Sequence, residues 1–120
     1  MILPRRSLIA AAMAALSMAA LPAEAMPEGK ILADIALGKD DAPVTIIEYA
    51  SFTCSHCADF HSENWPKLKA EYVDTGKVKF IQRDIYFDAV GLWAGILARC
   101  GGDDKYYAVS DMIFDEQKTW

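Results

Sequence analysis

Two cysteines three residues apart, Cys54 and Cys57, constrain this chain more than any other feature of its sequence. They follow an apolar run and precede a segment of helical periodicity, so Cys54 is predicted in the first turn of a helix. The unpaired N–H groups and the positive dipole end found there favour an anion, which lowers the pKa of a thiol. Cys57 lies one turn later on the same side and can close a disulfide with Cys54. The pattern predicts a redox centre.

Two cysteines at this spacing have other interpretations besides a redox pair. A structural disulfide or half of a zinc site has the same spacing, and zinc usually takes four ligands. The remaining candidate ligands are His56, His61 and Cys100, and none of them forms a second CxxC motif. The strand–CxxC–helix setting favours redox chemistry. His56 adds a hydrogen-bond donor, or a positive charge when protonated, beside the first sulfur.

Residues 1–25 have the pattern of an export signal. Two adjacent arginines precede a 14-residue apolar stretch, residues 8–21, and a small-residue cleavage site ends at Ala25. The stretch is shorter than the roughly 18 residues expected of a membrane-spanning helix. We therefore predict a signal peptide that is cleaved after Ala25 and export to the periplasm, where a disulfide persists. The arginine pair leaves both ordinary and twin-arginine export open.

The composition narrows the class of protein further. A length of 120 residues fits one domain or part of one. The chain carries 17 acidic and 12 basic residues, a net charge of −5, without a basic run, which argues against a nucleic-acid partner. Because there are three cysteines, one thiol lacks a partner within the chain. Cys100 is predicted to be a buried free thiol, and a disulfide to a cysteine outside this chain is the alternative.

The middle of the chain predicts a βαβ unit over residues 44–87. Residues 26–43 are predicted as a linker with one candidate edge strand at residues 35–37. Residues 44–50 are β-branched, aromatic and nearly continuously apolar, which indicates a strand buried on both faces. A second strand is predicted at residues 78–84. The cysteine pair then lies at the carboxyl end of the first strand, where open α/β sheets place their sites.

The segment between the two strands has helical spacing from Cys54 to about Asp74. Pro66 falls inside this pattern, so a kink is expected near Asn64. Gly76 is predicted to end the helix as the glycine that follows its last turn.

Two ionisable residues near the motif have alternative interpretations. Glu48 lies in the first strand, where a carboxylate costs free energy unless it is paired or protonated. It either points to solvent at the strand end or lies beneath the cysteine pair and relays protons from Cys57. His61, four residues after Cys57, is predicted to be a partly exposed helix residue, with a role as metal ligand as the alternative.

Residues 88–120 predict two further helices. Asp88 can cap the first, whose expected apolar face comprises Ala89, Leu92, Trp93, Ile96, Leu97 and Cys100. Asp103 is the candidate cap of the second, whose expected core face comprises Tyr106, Tyr107, Ser110, Ile113, Phe114 and Gln117.

The stretch around the cysteines resembles the DsbA-like thiol:disulfide oxidoreductases, a branch of the thioredoxin superfamily. An acid six residues before the first cysteine, an aromatic-rich lead-in and a CxHC centre carry the resemblance, which extends from about Leu37 to Trp120. The best-known dipeptide of the family is Pro-His, whereas this chain has Ser55 and His56 between its cysteines. This difference bears on the redox potential rather than on the reaction.

The resemblance implies a thioredoxin-like α/β fold in which residues 88–120 begin a helical insertion. It implies that Cys54 forms the mixed disulfide and that Cys57 is the buried resolving cysteine. Ser55 and His56 are the supporting residues between them, His56 stabilising the Cys54 thiolate, and Glu48 matches a buried acid. The family also has a cis-proline loop, further strands and a closing helix beyond such an insertion. The chain alone is therefore expected to fold poorly or to be inactive.

The sequence thus predicts an exported oxidoreductase that works mainly as an oxidase on secreted polypeptides with cysteines. By resemblance, a DsbB-like quinone-linked membrane protein reoxidises it, and we expect no cofactor. One alternative is a copper- or zinc-binding export protein that uses the CxxC and His61. Another alternative is a disulfide isomerase or reductase. It would use the same residues, and only the redox potential would distinguish it from an oxidase.

Overall fold

A computed structural model describes residues 32–120 of the chain. The predicted signal peptide and the first part of the predicted linker lie outside the described residues. The elements are strands β1 (Ala36–Leu37), β2 (Val44–Ala50) and β3 (Val78–Asp84), and helices α1 (Ser55–Glu63), α2 (Trp65–Leu68), α3 (Ala89–Arg99) and α4 (Tyr106–Asp115). A π-helical turn, Lys69–Val73, follows α2. No helix within residues 32–120 combines the length and the apolar character that crossing a membrane demands.

The three strands form one sheet in the order β1-β3-β2. Strands β2 and β3 are parallel, with Glu48 opposite Gln82, and the helical segment between them makes the predicted βαβ connection. Strand β1 pairs antiparallel with β3 at the sheet edge, where the sequence predicted a short strand. Gly38 follows β1 with φ of +94°, and a Cβ there would lie 2.5 Å from the Val78 carbonyl oxygen, so only glycine fits this close approach.

Strand β2 is buried on one face rather than on two, which corrects the sequence prediction. Ile46, Glu48 and Ala50 face the helices, whereas Ile47 and Tyr49 are 41% and 58% exposed. The apolar composition of this strand was therefore a poor guide to its burial. Within residues 32–120, nothing packs closely enough on the outer face to cover these two side chains.

The helical segment after the cysteines is broken, as the position of Pro66 predicted. Helix α1 ends at Glu63, Asn64 is its C-cap, and Pro66 lies in the first turn of α2, where its missing N–H costs no hydrogen bond. Gly76 then ends the π-helical turn with φ of +79°. The break turns Trp65 into the core, where its ring lies 4.3 Å from that of Phe80 on β3.

The core is an aromatic layer between the sheet and α4. The expected inner face of α4 is confirmed, because Tyr106, Tyr107, Ser110, Ile113 and Phe114 are all buried. The Tyr107 hydroxyl accepts from the Gln82 N–H and donates to the Ile35 carbonyl. The helix is thereby joined to β3 and to the segment that leads into β1.

The start of α4 differs from the sequence prediction. Asp103 does not cap this helix: the N-cap position belongs to Lys105, which makes no side-chain capping bond.

Helix α3 packs through its small residues, which reverses the predicted face. Asp88 caps the helix as expected and accepts from the Gly91 N–H. The buried positions, however, are Gly91, Ala94, Gly95 and Ala98, while Leu92, Trp93, Ile96 and Leu97 are exposed. Large apolar residues are normally the buried ones. Here, short side chains let the helix approach the rest of the chain closely.

Candidate active site

The cysteine pair lies at the carboxyl end of β2, at the beginning of α1. A turn closed by the Cys54 N–H and the Ser51 carbonyl, 3.0 Å apart, leads from the strand into the helix. Cys54 is the N-cap residue rather than a member of the first turn, and its carbonyl accepts the first helical bond from Ala58. Both cysteines are free thiols in this structure, and each is partly buried.

The environment shifts the two thiols in opposite directions. Hydrogen bonds from the backbone N–H and the thiol of Cys57 lower the pKa of Cys54, and the His56 N–H adds to this effect. Burial raises the pKa of Cys57 to about 11, and the neighbouring charges of Cys54 and Glu48 act in the same direction. A single helix beginning therefore favours one sulfur as a thiolate and keeps the other protonated.

The two residues between the cysteines lie on the surface. Ser55 is the first residue of α1, and both Ser55 and His56 are exposed. The His56 imidazole makes no hydrogen bond to any residue in the described part of the chain. After the larger effect of the Cys57 hydrogen bonds, the backbone N–H of His56 also lowers the pKa of Cys54. The proposed supporting role of His56 thus rests on its backbone in this structure.

Glu48 and His61 form a pair in which the histidine is buried and the carboxylate is partly exposed. The His61 side chain is only 1% exposed, which corrects the prediction of a partly exposed residue. Its Nε2 lies 3.1 Å from Glu48 Oε2, and its Nδ1 lies 3.3 Å from Asp111 Oδ1 on α4. Glu48 is therefore paired from within rather than directed to solvent. Sequence reasoning missed Asp111, because no local pattern relates a surface acid of α4 to a strand 63 residues earlier.

The alternative metal site is not formed by these residues. Both ring nitrogens of His61 face carboxylates, so they are not available to complete a ligand set with the two thiols. No group of three or more histidine, cysteine or acidic residues within residues 32–120 is arranged to hold a metal ion.

Two residues outside the motif fix the loop that carries Cys54, and sequence reasoning did not assign them this role. Gln117, just after α4, donates from Nε2 to the Phe52 and Cys54 carbonyls at 2.7 and 2.9 Å. Asp88, the cap of α3, also accepts from the Thr53 hydroxyl at 2.8 Å. The sequence pattern predicted Gln117 on the core face of a helix and Asp88 as a helix cap, but it did not predict their contacts with this loop.

Cys100 does not belong to this site. It is the C-cap residue of α3 and is exposed, so the prediction of a buried thiol is wrong. It is therefore a second accessible thiol on the same chain, separate from the CxxC pair.

The fold and the paired thiols at a helix beginning define a thioredoxin-like protein, and comparisons with known proteins agree. A family model described as "Thioredoxin" matches residues 30–120. A Rickettsia bellii protein with the provisional name protein-disulfide oxidoreductase is 40% identical over 72% of this chain and 34% of its own length. Disulfide bond formation protein D of Bacillus subtilis is 33% identical over 68% of the chain and 38% of its own length.

Among solved structures, alpha-DsbA1 of Wolbachia pipientis matches with a TM-score of 0.69 and 37% identity, over 80% of this chain and 46% of that one. The chain belongs to the DsbA-like branch of the thioredoxin family. It spans about a third of the length of the curated relatives that it matches.

Proposed function

We propose that the chain carries the redox centre of an exported thiol:disulfide oxidoreductase that oxidises cysteine pairs in secreted polypeptides. The observation that supports this proposal most directly is the opposite shift of the two thiol pKa values at the start of α1. A thiol that is easily ionised reacts readily and leaves readily, whereas its protonated neighbour does not compete with it.

The reaction begins with the Cys54–Cys57 disulfide. A substrate thiolate attacks the Cys54 sulfur, the disulfide breaks, and Cys57 leaves as a thiolate that takes up a proton. A second substrate thiolate then attacks the substrate sulfur of the mixed disulfide, and Cys54 leaves as a thiolate. The substrate has lost two electrons and gained a disulfide, and the enzyme pair is reduced.

The direction of the reaction follows from the stability of the Cys54 thiolate. Interactions that stabilise this anion exist only in the reduced enzyme, so they favour reduction of its disulfide and make it oxidising. The same interactions make Cys54 the better leaving group in the last step. We assign Glu48 as the proton acceptor for Cys57, because it is the carboxylate whose charge acts on that thiol and raises its pKa.

The setting that we propose is the periplasm, after removal of the signal peptide at Ala25. Its support is the run of small and apolar residues over residues 8–21 and the small-residue site that follows. Oxidised enzyme must then be regenerated by a partner that accepts two electrons. A DsbB-like membrane protein linked to quinones is the partner class that the family suggests.

Alkylation of the reduced protein tests the proposal, with Cys100 as an internal reference. Iodoacetamide is added at pH 5 to 8, and modification of each cysteine is followed by peptide mass spectrometry. We expect Cys54 to react first at acidic pH, because the thiolate fraction rises about tenfold for each unit by which a pKa is lowered.

The oxidised protein should also convert a reduced two-cysteine peptide to its disulfide. A Cys54→Ser variant should lose this activity, and Cys100→Ser should retain it. If Cys54 and Cys100 show the same pH profile of alkylation, and the peptide stays reduced, the proposal is wrong.

A further inference from the structure

The buried imidazole of His61 connects two carboxylates that lie on different elements. Glu48 comes from β2 and Asp111 from α4, and the ring nitrogens lie 3.1 and 3.3 Å from their respective oxygens. The ring is held in this orientation because it stacks on Phe114, with centroids 4.1 Å apart. A side chain fixed in this way is already aligned with both partners.

The three side chains lead from the cysteine pair to the surface. Glu48 is the member whose charge acts on the Cys57 thiol, and its side chain is 16% exposed, whereas His61 is 1% and Asp111 is 38% exposed. His61 and Asp111 also line an open cavity of about 290 Å³ together with Asp115. Asp111 is thus the member of the chain with the best access to water.

The proposed reaction needs a proton to move at this place. Cys57 has a pKa of about 11, so it must take up a proton when it leaves and must lose one when it attacks. Glu48 can exchange that proton with the thiol, but it is mostly enclosed and needs an outlet of its own.

We propose that His61 and Asp111 form the outlet that carries protons between Glu48 and solvent during reactions of Cys57. This inference rests on the proposed function. Both are positioning residues, since neither touches the sulfur atoms, and they act through Glu48.

The proton balance is as follows when Cys57 attacks a mixed disulfide at Cys54. The Cys57 proton passes to Glu48, and the protonated Glu48 donates it to Nε2 of His61. The imidazole releases its other proton from Nδ1 to Asp111, which passes it to water. The reverse sequence returns a proton to Cys57 when this thiol leaves, so no further reactant is needed.

An imidazole is suited to this position because it binds and releases protons at two atoms. Two titratable groups contact the ring, Glu48 from β2 and Asp111 from α4, whereas Asp115 lines the same cavity without a hydrogen bond or ion pair to the ring. Burial by itself lowers the pKa of His61, but hydrogen bonds to the Asp111 and Glu48 carboxylates outweigh this effect and raise it above 6.5. The imidazole therefore stays protonatable although it is enclosed.

The test measures closure of a mixed disulfide by Cys57 in the full chain. Reduced protein is mixed with oxidised glutathione, samples are quenched with acid, and mass spectrometry follows decay of the Cys54–glutathione adduct between pH 5 and 9. The variants are Asp111→Asn, which keeps an oxygen facing Nδ1, and Asp111→Glu, which restores a carboxylate. Asp115→Asn is the matched control, because it removes the same charge from the same helix.

We expect Asp111→Asn to slow closure about tenfold and to change its pH profile, since positioned proton transfer contributes at least this much. Asp111→Glu should recover most of the rate, and Asp115→Asn should stay within about twofold of wild type. Superimposable profiles of the two Asn variants would overturn the inference alone, because Glu48 then exchanges with water directly. A wild-type protein that never closes the adduct would overturn the proposed function, and the inference with it.

Discussion

The Cys54 thiolate is stabilised mainly by groups of the backbone and by the second thiol. Hydrogen bonds from Cys57 and from the His56 N–H lower its pKa, whereas the His56 side chain points to solvent. These bonds require that the turn before α1 keeps its geometry. Gln117 is one of the residues that hold the turn, because its amide donates to two of the carbonyls there.

Replacing Gln117 with alanine should therefore destabilise the fold and loosen the turn. Two hydrogen bonds are lost, each with a net contribution of about 0.5–1.5 kcal/mol, so the free energy of unfolding should fall by about 1–3 kcal/mol. Urea denaturation measures the change, and Lys118→Ala serves as the neighbouring exposed control. Equal stability of the two variants would show that the Gln117 amide does not hold the loop.

At the residue scale, the sequence predicted which residues belong to the site better than it predicted which side chains contact them. The spacing of Cys54 and Cys57 follows from local helix geometry, so their relation was predictable. The environment of His61 was not, because it depends on Glu48 and Asp111, which tertiary structure brings together from other elements. Whether Glu48 points to solvent or into the protein could be decided only when its contact with His61 was known.

The elements differ in how far their burial follows from composition. Helix α4 presents its predicted face to the core, since large aromatic residues at helical spacing favour that face. In helix α3, the sequence pattern favoured the side of Leu92 and Trp93. The structure buries the side of Ala94 and Ala98 instead. Periodicity located this helix and its Asp88 cap, but it could not decide which of two apolar sides packs inside.

A pair of adjacent substitutions in α3 tests its orientation. Trp93 is 65% exposed and Ala94 is 7% exposed, so lysine should be tolerated at the first position and not at the second. We expect Trp93→Lys to change the free energy of unfolding by less than about 0.5 kcal/mol. Ala94→Lys should cost at least about 2 kcal/mol, because a charge is buried or the helix is displaced.

Chemical denaturation of both lysine variants gives the comparison directly. A larger loss for Trp93→Lys than for Ala94→Lys would mean that α3 packs through its large side chains, as the sequence pattern suggested.

For the molecule as a whole, the order of elements was more predictable than its surface. The parallel pair β2–β3, the helical crossover and the position of the cysteines follow from local patterns, because a helical segment between two strands favours a parallel βαβ unit. The apolar surface was not predictable from these patterns. An open groove of about 390 Å³ lies between α3 and the end of the described chain. Its lining includes Val90, Trp93, Leu97, Met112 and Trp120.

The stability of the whole fold should depend on pH through His61. Its pKa is raised in the folded protein, so the folded state binds a proton more tightly than the unfolded state does. The resulting stabilisation is fully present below about pH 6.5, the ordinary value, and is lost as the pH rises through the folded-state pKa. The free energy of unfolding should therefore fall as the pH is raised from about 6.5 to alkaline values.

Urea titrations of the oxidised protein across this range measure the slope, because the disulfide removes Cys54 and Cys57 from the titration. His61→Phe should flatten the slope, since the two carboxylates lose the group that binds the extra proton. His56→Gln is the matched control, because it removes the other histidine of the chain, whose side chain is exposed, and it should keep the wild-type slope. If His61→Phe and wild type have the same slope, the Glu48–His61–Asp111 contacts do not hold a proton in the folded protein.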